Sequence, residues 1–436
     1  MSELLMASLL ATATATAAPT LTLDEAVERA MSTSPAAKGA QALHARADLA
    51  ELRSQLDRFS FRVDAQLQEV WAKTGIGSDR DGNFQGWLGL SNLSARLDVP
   101  IFSGFRVESN VARAQHLVVA AEEDLAAERR AAAVAAARAY WGVRKLSFLH
   151  DLQAQALERL TGAERIARAR VSAGLAPPLD ENRAEARRRL QAVTLEDLEG
   201  QRAEAEARLA VLLGLGAPAR LVEAAPEAPS AVPDVQDLLQ TARARRPELK
   251  AARARLAAQE EVVQMAISEY YPQLGAYALF QYGNNPALAG AGSRAVYISA
   301  NPFAQMAGDM QVGLTLAVNL FDTLNTHTKV KDARLEASRL AAAMERADRG
   351  VEEEVRAARA RVTRFARLLE TLGEAEALAR DNLKISLERY EDGSALLLEL
   401  LDAELELLDV ERRRADTRSE LALAAFELEA ATGGKL

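Results

Sequence analysis

The stretch that decides the fold is RVSAGLAPPLDENRAEARRRL, Arg170 to Leu190, because it returns as RYEDGSALLLELLDAELELLD, Arg389 to Asp409. Laid over each other, Arg170 meets Arg389, Gly174 meets Gly393 and Ala184 meets Ala403, at a spacing of 219 residues (393 − 174). In each copy a helix-forming run ends at a glycine and a second run follows. That pattern predicts two helices joined by a tight turn, where glycine supplies the positive φ. The same turn made twice predicts a duplicated chain.

Working outward, the duplication spreads over almost the whole sequence. SPAAKGAQALHARADLAELRSQLD from Ser34 matches RPELKAARARLAAQEEVVQMAISE from Arg246, with Pro35 on Pro247 at a spacing of 212. VPIFSG from Val99 matches VNLFDT from Val318 at 219, and Gly214 and Gly433 keep that spacing. The second copy therefore gains seven residues between residues 60 and 102 of the first copy's frame. Insertions collect in exposed loops, so a loop is expected there.

Prolines mark where helices can run. None lies between Pro100 and Pro177, and none after Pro302. A proline inside a helix costs about 3 kcal/mol, and these gaps are filled with Ala, Leu, Glu, Arg and Gln, which favour helix. The first repeat, residues 19–214, is expected to hold helices over about 22–58, 104–172 and 179–213. The second, 235–436, is expected to hold them over about 235–270, 323–391 and 396–431. The longest pair would each reach roughly 100 Å at about 1.5 Å per residue. Helices of that length need coiled-coil neighbours, and Leu398, Leu401, Leu405 and Leu408 step as an a/d seam. Residues 215–234, containing GAPARLVEAAPEAPSAVPD, read as a surface connector.

Between the helices the period changes to two. Phe61, Val63, Ala65 and Leu67 alternate with Arg62, Asp64 and Gln66, and Leu93 to Val99 alternates likewise. Leu274 to Tyr282 and Met310 to Leu320 repeat the pattern in the second copy. Strands are expected over about 60–72, 84–99, 273–283 and 309–321, with turn-rich tips KTGIGSDRDGN and GNNPALAGAGSRAVYISANPF. Of 21 Phe, Trp and Tyr residues, 15 fall in 59–105 and 270–321, near the strand ends, as in the girdles of outer-membrane barrels. A soluble sandwich is the competing reading, but four strands flanked by such helices leave no second layer to cover the apolar face. Four strands cannot close a barrel, whose minimum is about eight. A membrane sheet therefore requires copies: two would give a filled lumen, three an open pore.

Bulk properties exclude other classes. The 436 residues carry a net charge of −9, which argues against nucleic acid as the main partner. There is no cysteine, so disulfides, thiolate metal sites, cysteine nucleophiles and an anchoring lipid on cysteine are ruled out. The four histidines, His44, His116, His150 and His327, have no ligand spacing. No run of 18 apolar residues predicts a transmembrane helix. Residues 1–18 read as a signal peptide: Leu4 to Leu10 is apolar and Ala15-Thr16-Ala17 fits cleavage, although no basic residue precedes the run. No phosphate loop, nucleophile elbow, metal cluster or cofactor motif is present, so the chain is not expected to be an enzyme.

With LTLDEAVERA (Leu21–Ala30), RPEL (Arg246–Leu249), YYPQL (Tyr270–Leu274), VPIFSG, AGLAPPLDENRAEA and RYEDGSALLLELLDAE each in its place in the duplicated frame, the chain resembles the TolC-type outer-membrane efflux factors over about residues 21–433. The resemblance implies a mainly α fold with a membrane β-barrel. Two tandem repeats, each a long-helix coiled-coil hairpin plus a β-hairpin, would trimerise into a 12-strand barrel and a periplasmic α-barrel, with 215–234 in an equatorial belt. It implies a homotrimer in bacterial outer-membrane lipid, with most of the chain in the periplasm. The partners implied are a periplasmic adaptor (a membrane fusion protein) and an inner-membrane RND or ABC transporter, in efflux or type I secretion. Carried over by alignment, Ala173, Gly174, Leu175, Asp392, Gly393 and Ser394 are the adaptor-docking tips. Asp180, Tyr390, Glu399 and Asp402 form the periplasmic gate, Asp180 able to bond Tyr390 and the two acids lining the constriction. The family's arginine two residues beyond the second tip glycine is replaced by Ala395. The rival class is a non-channel coiled-coil scaffold of the periplasm or cytosol, which explains the helices but not the mirrored strands.

Overall fold

The structure is a computed structural model that describes residues 20–74, 84–222, 233–283, 303, 307–322 and 324–434. The signal reading, most of both strand-hairpin tips and residues 223–232 of the connector lie outside these residues. The chain divides into two compact units: Met1–Ala42, Glu123–Lys250 and Glu345–Leu436 in one, Leu43–Glu122 and Ala251–Met344 in the other.

The duplication is present down to the residue. Helix α3 spans Arg106–Ser172 and α7 spans Asn325–Glu391, each 67 residues. They are followed by α4, Pro178–Leu212, and α8, Leu397–Thr432. The junctions that feed the long helices are also duplicated. Phe105 (φ 68°) and Leu324 (φ 66°) are the non-glycine residues with left-handed backbone among those described, and they share one place in the repeat. Just before them, the Ser103 hydroxyl accepts from the Val107 amide at 3.3 Å and the Asp322 carboxylate from the Thr326 amide at 2.7 Å. Each junction thus places a side-chain acceptor on an otherwise unsatisfied helix-start donor.

The shorter N-terminal helices of each repeat are split where one had been expected. Residues 22–58 form α1, Leu23–Thr33, and α2, Pro35–Leu56. Residues 235–270 form α5, Val235–Arg245, and α6, Pro247–Ile267, with a 3-10 turn at Ser268–Tyr270. The cause is the matched prolines. A residue before proline is driven out of the α region, and Ser34 (ψ 126°) and Arg246 (ψ 121°) are extended.

The first unit contains an alanine-rich helical core. β1, Thr20–Leu21, pairs in parallel with β4, Arg220–Leu221. Together with α1 it packs Leu21, Ala26 and Ala30 on Tyr140, Trp141 and Leu213. The leucine seam of α8 lies one residue away from the expected phase. Leu397, Leu400, Glu404, Leu407 and Glu411 are buried, and of the expected seam Leu401 is buried with them, whereas Leu398 is 51% and Leu405 38% exposed. Both phases are leucine-rich, and packing on Leu160, Ala163 and Ala184 selects one of them.

The second unit holds the sheet. β2, Ser60–Thr74, β3, Phe84–Phe102, β5, Gln273–Gly283, and β6, Ala307–Ala317, are antiparallel in the order β2-β3-β5-β6. β3 runs three residues beyond the expected end, with a register shift between Pro100 and Phe102. β6 stops at Ala317, so Val318–Phe321, expected as strand, is unpaired.

Candidate functional site

The register sorts the sheet into two faces. Phe61 faces Leu97, Leu97 faces Ala278 and Ala278 faces Val312 across the four strands. Val63, Ala95, Phe280 and Met310 form the next row. Each row is apolar, and Met310, Val312 and Leu314 are each 71% exposed. The other face carries Arg62, Asp64, Arg96, Asp98, Gln281 and Gln311. There Arg96 pairs with Asp98 at 2.8 Å and lies 5.6 Å over the Tyr277 ring. Large exposed apolar surfaces mark contact with membrane or partners. No described helix is long and apolar enough to cross a membrane, which leaves this sheet as the apolar surface to account for.

The two helical-hairpin turns of the first unit are built alike. The Gly174 amide donates to Val171 and the Leu175 amide to Arg170, at 3.0 and 2.8 Å. The Gly393 amide donates to Tyr390 and the Ser394 amide to Arg389, at 3.1 and 2.8 Å. These are Schellman closures, which need the left-handed φ of 73° at Gly174 and 79° at Gly393. Pro178 then opens α4 at a position where a missing N–H costs nothing. Ala173, Gly174, Leu175, Asp392, Gly393 and Ser394 are all exposed, Leu175 by 70%.

Tyr390 is packed among Leu160, Ala163, Ala167, Leu397 and Leu400 and is 2% exposed. Its hydroxyl has no hydrogen-bond partner among the described residues. Burial raises the phenol pKa, and the nearby Asp180 carboxylate raises it further. Asp180 therefore reaches Tyr390 by its charge, without the hydrogen bond that the resemblance implied. Glu399 and Asp402 are exposed on the first turns of α8, and Glu399 lies 3.7 Å from Arg389. An exposed pair of this kind contributes about 0–1 kcal/mol.

Sequence reasoning missed the charged groups behind this tip. Arg170 crosses from the first hairpin to the second: it donates to the Tyr390 carbonyl and, at 3.1 Å, to the Glu391 carbonyl. Its guanidinium also lies 5.0 Å from the centre of the Tyr390 ring. A cation there binds the last carbonyls of α7, of which that of Tyr390 also accepts from the Gly393 amide, and suits the helix dipole. Further along, Glu404 accepts from Arg159 at 2.7 Å, Glu411 from Arg159 at 3.3 Å, and Glu376 from Arg380 at 2.6 Å. Glu404 and Glu411 share the phase of Leu397, Leu400 and Leu407, but the sequence offers a second leucine phase and does not choose between them. Among the described residues no cluster of metal-ligating side chains occurs.

The comparisons fit this geometry. The chain is similar in fold to the outer-membrane channel OprN (TM-score 0.75, 23% identity, 95% of this chain and 90% of that one). It is also similar to VceC from Vibrio cholerae (TM-score 0.75, 20% identity, 94% and 96%). A third likeness is to CusC, described as forming a transmembrane channel (TM-score 0.78, 15% identity, 95% and 92%). No curated protein matches the sequence. The family model described as outer membrane efflux protein matches residues 40–215 and 238–434, both repeats almost entire. With its duplicated helical hairpins and its two-faced sheet, the chain belongs to the outer membrane efflux protein family, whose members are outer-membrane channels rather than enzymes.

Proposed function

We propose that three copies of this chain form one efflux or secretion duct, sharing a twelve-stranded barrel in the outer membrane and a helical tunnel across the periplasm. The observation that carries this reading is the four-stranded sheet with one exposed apolar face and β2 and β6 as open edges. In lipid an unpaired edge costs several kcal/mol per backbone group. Pairing β6 of one copy with β2 of the next removes every edge, and three copies leave an open lumen where two would fill it. The coiled-coil scaffold reading gives the apolar face no purpose. It also predicts release from membranes by salt, whereas a barrel needs detergent.

The tips are the docking points in this reading. Ala173, Gly174 and Leu175, with Asp392, Gly393 and Ser394, meet a periplasmic adaptor, and an inner-membrane RND or ABC transporter supplies the energy. Asp180, Tyr390, Glu399 and Asp402 form the resting gate beside them. Leu175 supports the docking role, since a leucine 70% exposed on a turn has little of its own chain to pack on. Mass measurement in detergent should give three copies; a stable monomer or dimer overturns the shared barrel. Leu175→Asp should keep that mass and lose export. Export that survives would make Leu175 a turn residue only.

A further inference from the structure

The repeat places Arg170 and Arg389 at the same position, four residues before the two tip glycines. They do different things in a single chain. Arg170 leaves its own hairpin and caps the last carbonyls of α7, at Tyr390 and Glu391. Arg389 stays at home: it donates to the Ser394 carbonyl at 3.3 Å, lies 3.7 Å from Glu399, and is 53% exposed. The glycines differ in the complementary way. A Cβ built on Gly393 would come within 3.0 Å of the Arg170 guanidinium, so the guanidinium lies directly against that turn. A Cβ built on Gly174 would meet nothing within 4 Å, so the equivalent space is open on the first hairpin. One hairpin thus has a seated arginine, and the other has the seat without one.

We infer that in the assembled trimer Arg389 reaches across to the next copy and caps the carbonyls of Val171 and Ser172 on that copy's α3, as Arg170 does for α7 within its own chain. This rests on the proposed trimer, where the six hairpins alternate around the tube. Its ring of tips is then held by six arginine clamps, three within chains and three between them. The two kinds differ in strength. Arg170 also stacks on the Tyr390 ring at 5.0 Å, whereas Val171 stands at the matching place in the first repeat. A ring face adds cation–π attraction that valine cannot supply. The seams between copies are therefore the weaker ones, and the mouth parts there first.

The absence of cysteine makes the test direct. An arginine spans more than the roughly 4.4–6.8 Å between α-carbons that a disulfide requires, so a short bismaleimide is the suitable probe. Arg389→Cys with Ser172→Cys, linked in the native membrane, should yield covalent trimers after full denaturation. Arg170→Cys with Glu391→Cys should link equally well but run at the mass of one chain. Arg389→Cys with Val171→Cys is the second pair if the first does not assemble. The unlinked protein is weighed in detergent alongside. A trimer in which the Arg389→Cys pairs give only single-chain products overturns the clamp and leaves the proposed duct intact. A monomer in detergent overturns both. Arg389→Ala should further raise the resting conductance of trimers in planar bilayers, and unchanged conductance would show that no clamp closes the mouth there.

Discussion

Glu404 occupies a place that a leucine would fill, in phase with Leu397, Leu400 and Leu407 on the buried face of α8. Burial pushes its carboxyl above the usual 4.5, the Glu411 charge adds to that, and Arg159 opposes it. An acid whose pKa is raised by folding carries no penalty below its unfolded value. The penalty grows as pH rises toward the folded value and is complete above it. Glu404→Gln keeps an acceptor for Arg159 and removes the buried charge. In detergent it should melt at a higher temperature than the parent at pH 7, with the gap closing as pH falls toward 4.5. A parent that melts higher at pH 7 would mean that the Arg159 pair outweighs the cost of burial. This charge was hard to read in the sequence, because glutamates and arginines cover every face of these helices. Only the packing phase separates a solvated carboxylate from a buried one. Arg170 was hidden for a related reason, since its partners are carbonyls 220 and 221 residues away, which carry no residue signature.

At the scale of elements, the pairing of β3 with β5 joins the strands of the two repeats, and Gly283 is its tightest point. It sits opposite Asn92, and a Cβ there would come within 2.1 Å of the Ser91 carbonyl oxygen. Gly283→Val should therefore lose the sheet while keeping the helical circular-dichroism signal. The loss would appear as absence of the mobility difference between heated and unheated protein in mild detergent gels. Gly275→Ala, whose Cβ would lie 3.7 Å from the Val99 carbonyl, should keep that difference. Equal behaviour of the two variants would mean that the pairing yields to backbone adjustment. Strand identity was legible from alternation, because the period of two puts Phe61, Val63, Ala95, Leu97, Ala278, Phe280, Met310 and Val312 on one face. The end of β6 was not, since Val318 and Leu320 continue the alternation without a neighbour to pair with. Pro35 and Pro247 were visible as matched marks of duplication. They also divide α1 from α2 and α5 from α6.

For the whole molecule, the proposed trimer brings six carboxylates from Glu399 and Asp402 to one narrow mouth. The two are three residues apart on α8, on one helix face, and both are exposed in the single chain. Such a ring concentrates cations and repels anions. In planar bilayers the double replacement Glu399→Ala, Asp402→Ala should weaken cation preference and abolish block by multivalent cations from the periplasmic side. Unchanged selectivity and block would put these acids on the outside of the tube. The missing family arginine at Ala395 bears on the same mouth. The resemblance implies a polar latch there that Ala395 cannot make, and the proposed clamps of Arg170 and Arg389 lie within the same turns.

What the sequence determined by itself was the duplication, the two long helices, the strand faces and the glycine turns. These follow from local rules, where a proline, a glycine or an alternating residue constrains its own backbone. The tertiary structure alone decided which of two leucine phases of α8 is buried, where the Arg170 guanidinium lies, and that the Tyr390 hydroxyl is unpartnered. Each depends on which helix packs alongside. Packing and desolvation act between residues hundreds of positions apart, and no local pattern in either segment encodes the other's position.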